Sequence, residues 1–358
     1  MAQGRRIEAL DVLRGFTVSL MIMVNNAGDS YAFMHHSEWN GLTLSDIVFP
    51  FFLFIMGAST YLSLSKSGFK ADKETIVHII IRSSLIILIS WTIFWFGRVL
   101  KGDFLPFDHF RFTGVLTRIA IVYCLLSVLA ITLNHKIFPY LAAALLSFYT
   151  ILLMIGNGYS NDSSSIVART DVLLLGHNHI YSKAPIDPEG LLASIPSLAH
   201  GIIGFMCGKL LRSNIGIRGK IKRMSLVGII LTVSGLILSL WLPLNKRIWS
   251  PSFVLVTTGL AEMSLAALTF IIDEKKHSGF AAFRFFKVFG MNALFIYALS
   301  EMLHLIFSAT GIAGCCTDFL RNAVSSVELA DFLYSLLFML LLFFFGLFLH
   351  KRKIFIKI

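Results

Sequence analysis

Residues 10–57 read LDVLRGFTVSLMIMVNNAGDSYAFMHHSEWNGLTLSDIVFPFFLFIMG. Two apolar runs, each close to the ~20 residues that carry an α-helix across ~30 Å of hydrocarbon, enclose a centre crowded with polar side chains. Asp11, Arg14, Asn25, Asn26, Asp29, His35, His36, Glu38, Asn40 and Asp46 all fall within or beside membrane depth. Each costs free energy there unless something satisfies it. A chain that keeps so many in one place is expected to use them.

The rest of the chain has the same character. Of 358 residues, 56% are hydrophobic and 14% charged, which excludes an ordinary soluble domain and implies an all-α integral membrane protein. Apolar runs predict about ten spans, near 11–28, 44–65, 76–97, 113–133, 137–156, 194–211, 224–243, 252–272, 288–309 and 331–350. They form a single polytopic domain over 1–358, with a polar outer loop at 157–193 and a basic cytoplasmic loop at 212–223. A net charge of +11 in a soluble protein suggests nucleic acid; here its distribution sets topology instead. With the N-terminus inside, 20 Lys and Arg residues lie on the cytoplasmic side and 8 outside, so both termini are expected to be cytoplasmic. Arg5 and Arg6 before an apolar run imitate a signal peptide, but Arg14 interrupts the run and no small-residue cleavage site follows, so the first helix is read as uncleaved.

Arg14 and Asn25 are eleven residues apart, which places them within about 20° of one helix face and about 16 Å apart along it. They are either one polar line through the membrane or a snorkelling arginine beside a packing asparagine. Asp46 follows Thr43 at the expected start of helix 2, where a carboxylate caps the helix as readily as it serves a catalytic histidine. Pro50 predicts a kink. Arg118, inside a span, needs a carboxylate or ligand, with Asp46 or Asp108 as candidate partners. Glu189, in the turn sequence DPEG, either shapes a loop or closes a site. Asn245, Lys246 and Trp249 cluster in LNKRIWS, and Asn292, Tyr297, Glu301 and His304 follow at helical spacing, as packing hydrogen bonds would. His177 and His179 lack the further ligands that a metal requires, and the four cysteines show no disulfide or metal spacing.

LDVLRG, VNNAG, the series His36-x-x-Trp39-Asn40-Gly41-Leu42-Thr43-x-x-Asp46-x-x-Phe49-Pro50, FIMGAS, GVLTR, DPEG, LNKRIWS and GMNALFIY occur in order along nearly all of the chain. Together they resemble the heparan-α-glucosaminide N-acetyltransferase family and its bacterial NagX-type relatives, which are transmembrane acyltransferases. The resemblance implies transfer of acetyl from cytosolic acetyl-CoA to the amino group of a terminal glucosamine across the membrane, without a metal and in a homodimer. It implies His36 as the essential histidine, with Asn25, Asn40 and Asp46 around it. Arg14, Arg118, Asn245, Lys246, Trp249 and Asn292 match motif positions assigned to the acetyl-CoA side, and Trp39 and Glu189 to the acceptor. Beginning at helix 1, without the lumenal domain and extra helix of lysosomal members, the chain is expected to be a bacterial inner-membrane protein acting on an acceptor other than heparan.

Chemistry agrees with that expectation. An amine is acylated only when unprotonated, and a neutral imidazole near pH 7 is a suitable base. The same ring is also able to carry acetyl as acetyl-imidazole. Asn25 or Asn40 is placed to donate to the oxyanion, Asp46 to fix the histidine tautomer, and Arg14 to meet phosphate. The rival reading is a secondary transporter of sugars or organic anions using the same polar line.

Overall fold

The structure is a computed structural model and describes residues 7–277 and 279–356. Arg5, Arg6 and Lys357, counted above among the cytoplasmic cations, lie outside the described residues. Among those described there are thirteen helices and no strand: α1 (Glu8–Asn25), α2 (Leu44–Leu64), α3 (Lys73–Val99), α4 (Val115–Thr132), α5 (Phe138–Ile155), α6 (Ile166–Leu175), α7 (Ser194–Arg212), α8 (Ile217–Leu238), α9 (Pro251–Thr269), α10 (Ala281–Met291), α11 (Ala293–Ala309), α12 (Ile312–Ala323) and α13 (Val327–Lys351).

Eight of these are long and apolar enough to cross a membrane, and α10 with α11, bent by 81° at Asn292, is so only when the pair is taken together. The expected first span, α1, is 18 residues long and carries Glu8, Asp11 and Arg14 in its first half. The continuous helix expected at 288–309 is therefore two helices. Asn292 serves the break by donating its amide to Ile354 O at 3.0 Å and accepting from Ile356 N at 2.9 Å, which ties the tail to the bend. The expected loop at 157–193 contains α6, and much of the basic loop at 212–223 is the first turns of α8.

The bundle has an inner and an outer set of helices. In α2, α4, α7 and α9 half or more of the span is buried, whereas in α3 and α8 only about a sixth is. Outer helices with a largely apolar surface are what a lipid solvent permits, because their backbone groups are satisfied internally. The inner helices cross on small residues. A Cβ on Gly15 would stand 1.7 Å from Phe286 O, and one on Gly290 2.0 Å from Asp11 O, so α1 and α10 touch backbone to backbone. Pro50 lies within α2, whose core-facing Phe49, Phe51, Leu53 and Phe54 are all buried.

Candidate active site

Three connections converge at one end of the bundle: residues 26–43 between α1 and α2, 239–250 between α8 and α9, and 176–193 between α6 and α7. The first is locked locally. His35 Nε2 lies 2.9 Å from Ser30 O, Thr43 Oγ1 donates to His35 O at 2.7 Å, and Ser45 Oγ donates to Met34 O at 2.5 Å. It is then fastened to the second connection, because Gly41 N donates to Leu244 O at 2.8 Å and Asn245 Nδ2 donates to Asn40 Oδ1 at 3.1 Å. Gly41 has φ +132, a region that favours glycine. Trp39 Nε1 donates to Tyr159 O at 3.1 Å.

Asp46 is wholly buried, and its two oxygens have separate duties. Oδ2 accepts from Ser37 N (3.2 Å), Ser37 Oγ (2.9 Å), Thr43 N (3.1 Å) and Thr43 Oγ1 (3.0 Å), the reach-back of a helix cap. Oδ1 is left for His36 Nδ1 at 2.9 Å. The two sequence readings of Asp46, cap and histidine partner, are both present in one carboxylate. His36 is half exposed beyond that contact, with its side chain 51% accessible. Lys246 Nζ lies 3.0 Å from His36 Nδ1, 3.1 Å from Nε2 and 3.8 Å from Asp46 Oδ1. Burial pushes the Lys246 ammonium below the usual lysine range; Asp46 and Glu189 act against that shift, and Arg118 and Arg247 add to it. The geometry brings together an imidazole, the buried carboxylate bonded to it and a lysine at the imidazole edge.

Behind this cluster sits Arg118. It donates from Nη2 to Gly190 O at 2.8 Å, and its guanidinium carbon lies 5.2 Å from the Trp249 ring centre and 5.7 Å from that of Phe49. Neither Asp46 nor Asp108 bonds to it, contrary to the sequence expectation; aromatic faces and a carbonyl take that place. Its Nε and Nη1, Trp249 Nε1 and both ring nitrogens of His200 are buried without hydrogen bonds. Trp249 adopts φ +54, a conformation costly for a side chain of its size, and the local reward is the ring's position under Arg118 between Phe49 and Phe253.

Glu189 accepts from Arg111 Nη2 at 2.7 Å, and Asp187 takes the same guanidinium at 2.5 Å. Arg111 stays charged in spite of burial because those two carboxylates outweigh it. Burial acts to raise Asp187, but Arg111 and Thr113 hold it below the usual carboxylate range.

The other predicted residues are placed elsewhere. Arg14, near the opposite end of α1 from Asn25, reaches Asp11 Oδ1 (3.0 Å), Ser59 Oγ (2.8 Å) and Gly290 O (3.4 Å). Asn292 lies at that same end, two residues past Gly290. Asn25 donates to Glu301 Oε1 at 2.7 Å, on α11, rather than to any atom of His36 or Asp46. Arg111 was not singled out by the sequence reading, and Glu301 was read as packing; an ionisable side chain at membrane depth is the signal that marked Glu301. Among the described residues no group of three metal-ligating side chains occurs.

A family model described as heparan-alpha-glucosaminide N-acetyltransferase, catalytic, matches residues 6–244, about two thirds of the chain. The match ends just before Asn245, so His36 and Asp46 lie inside it and Lys246 two residues beyond. The heparan-alpha-glucosaminide N-acetyltransferase of Mus musculus is 28% identical over 86% of this chain, and that of Homo sapiens 27% over 84%. The chain spans about half the length of these relatives, 55% and 54% respectively. With two thirds of its length matched and His36, Asn40 and Asp46 within that span, this chain belongs to the heparan-alpha-glucosaminide N-acetyltransferase catalytic family.

Proposed function

We propose that the protein is a transmembrane N-acetyltransferase that takes acetyl from cytosolic acetyl-CoA and delivers it to the amino group of a glucosamine-type sugar on the opposite side. The observation that carries this reading is the His36–Asp46–Lys246 cluster, at 2.9 and 3.0–3.1 Å, in a chain of this family. Asp46 accepts the Nδ1 proton, which leaves the Nε2 lone pair to act on the acceptor. As the amine nitrogen bonds to the acetyl carbon, His36 takes the amine's proton and returns it to the sulfur as the C–S bond breaks. The Lys246 ammonium stabilises the oxyanion between these events, a role worth about 3 kcal/mol where water is excluded.

His36 serves as base in a direct transfer; acetyl carriage on its ring is the alternative, which labelling with acetyl-CoA alone distinguishes. The orphaned donors suit the co-substrate: Arg118 Nε and Nη1 and Trp249 Nε1 are buried and unpaired, and they match the carbonyl acceptors of a pantetheine arm lying in the bundle. Arg14 and the basic start of α8 are the candidates for its phosphates.

The test uses proteoliposomes with labelled acetyl-CoA on one side and D-glucosamine on the other. Wild type is expected to form labelled N-acetylglucosamine, and His36→Ala to lose that activity. Equal product from both proteins refutes the assignment; flux of unmodified sugar independent of acetyl-CoA points to a transporter. Incubation with labelled acetyl-CoA alone is expected to leave no acid-labile label on the protein.

A further inference from the structure

A cavity of about 360 Å3 opens between α3, α4 and α11, lined on its polar side by Glu189, Glu301, Tyr297, Arg98, Lys101 and Arg111 and elsewhere by apolar side chains such as Leu305. This is near the lower limit for small-molecule sites, about 300 to 1,000 Å3, and suits one or two sugar rings rather than a length of polymer. The mixed lining suits a pyranose, which presents hydroxyls at its edge and C–H groups on its faces.

Three contacts join the cavity to the reaction centre. Glu189, in its wall, acts electrostatically on Lys246. Tyr297 packs against the buried cluster of Leu20, Met21 and Val48, the last of which lies two residues past Asp46 on α2. Asn25, the end of α1 from which the His36 connection departs, bonds to Glu301 at 2.7 Å. The two carboxylates differ in an important respect. Glu189 is already paired with Arg111 at 2.7 Å. Glu301 has a neutral amide as its partner, and no Lys, Arg or His among the described residues pairs with it. A carboxylate in that position is incomplete until a donor arrives.

We propose that this cavity is the acceptor subsite, in which Glu301 receives hydroxyl donors of the sugar while Glu189 and Tyr297 hold the side of the ring facing Lys246. The inference rests on the acyl-transfer reading for the identity of its ligand, and two measurements keep their failures apart. In the first, steady-state acetyl transfer, Glu301→Gln and the cavity-filling Leu305→Trp are each expected to raise KM for D-glucosamine about tenfold or more, the cost of losing a charge-assisted hydrogen bond or the space itself, with KM for acetyl-CoA unchanged. In the second, labelled D-glucosamine is bound to purified protein without acetyl-CoA, and both variants are expected to bind it more weakly by the same factor. If wild type transfers acetyl and both variants keep the wild-type KM for glucosamine, the cavity is not the subsite. Binding lost in both variants of a protein that never transfers acetyl supports the subsite and overturns the enzyme reading. Absence of glucosamine binding by wild type overturns both.

Discussion

Asp46 gives one oxygen to four donors and the other to His36, and this division makes its amide variant informative. In Asp46→Asn the carbonyl oxygen stays with the backbone N–H groups of Ser37 and Thr43, which can only donate, so the NH2 must face His36 Nδ1. That forces the proton onto Nε2, the wrong tautomer for a base. The expected result is a kcat lower by about 100-fold or more with the melting temperature nearly unchanged, measured by acetyl transfer and thermal unfolding in detergent; a parallel collapse of both would mean that Asp46 is only a cap. Lys246 offers a pH test. Burial lowers its pKa from 10.5, so a rate that needs its ammonium falls along an alkaline limb below the ordinary lysine range. A guanidinium keeps its charge further into alkali, so Lys246→Arg should move that limb to higher pH, and an unmoved limb would remove Lys246 from the chemistry. His36 was singled out through the motif that resembles the family, and Asp46 also by its place three residues after Thr43 at an expected helix start. The contact of Lys246 with the ring was not legible, because it joins positions 210 residues apart through two loops whose stapling depends on Asn40 and Asn245.

Helix α6 shows why the 157–193 segment was misjudged as a loop throughout. At 10 residues it is too short to register as a span, and only Val167, Ala168 and Asp171 are buried in it. Its anchor is polar: Asp171 Oδ1 accepts from Leu191 N at 2.7 Å, and Asp171 lies so close to Gly190 that a Cβ there would stand 1.8 Å from Oδ2. Burial pushes the Asp171 carboxyl up to about 6. Because the folded value lies above the unfolded one, the stability it contributes is complete below about pH 4 and lost as pH rises through about 6. Asp171→Asn is neutral throughout and keeps the acceptor, so it should be more stable than wild type at pH 7.5, by at most about 3 kcal/mol, and equal to it near pH 4. Proteolysis of the 176–193 connection and melting temperatures at the two pH values check this; a variant less stable at pH 7.5 would show that the ionised form is wanted, paired with Arg118. The break between α10 and α11 escaped sequence reading for a related reason. Hydropathy continues smoothly across Met291-Asn292-Ala293, and what breaks the helix is an asparagine whose partners, Ile354 and Ile356, are more than 60 residues away.

That the chain is a bundle of apolar helices could be read from composition because lipid demands them, but ten spans were expected where eight helices and one bent pair are long and apolar enough; which helices are inner could not be read, since α3 and α2 are similarly apolar. The close crossings become visible only in the folded bundle, where α2 meets α7 at Gly57, Gly204 and Gly208 just as α1 meets α10 at Gly15 and Gly290. Orientation in the membrane is likewise a property of the complete bundle, and the acyl-transfer reading depends on it: His36 must face away from the compartment that supplies acetyl-CoA. The charge asymmetry predicts this, and α12 provides a reporter. Arg321 binds Asp331 at 2.6 Å and Asp29 at 3.0 Å, and Asp29 N donates to Asp331 Oδ2 at 2.7 Å, so α12 sits at the same end as the His36 connection. Cys315 and Cys316 on α12 are exposed, whereas Cys207 is buried and Cys124 only partly accessible within a span. A membrane-impermeant maleimide should therefore modify the protein in right-side-out vesicles and not in inside-out ones, and Cys315→Ser/Cys316→Ser should abolish the modification. Labelling only of inside-out vesicles would place His36 in the cytosol, where donor and base share a compartment and nothing needs to cross the bundle. Labelling from the outer side, together with product that forms only when acetyl-CoA and sugar are on opposite faces, would require the acetyl group to cross the bundle to the His36 end, where Arg118 and Trp249 keep buried donors unpaired.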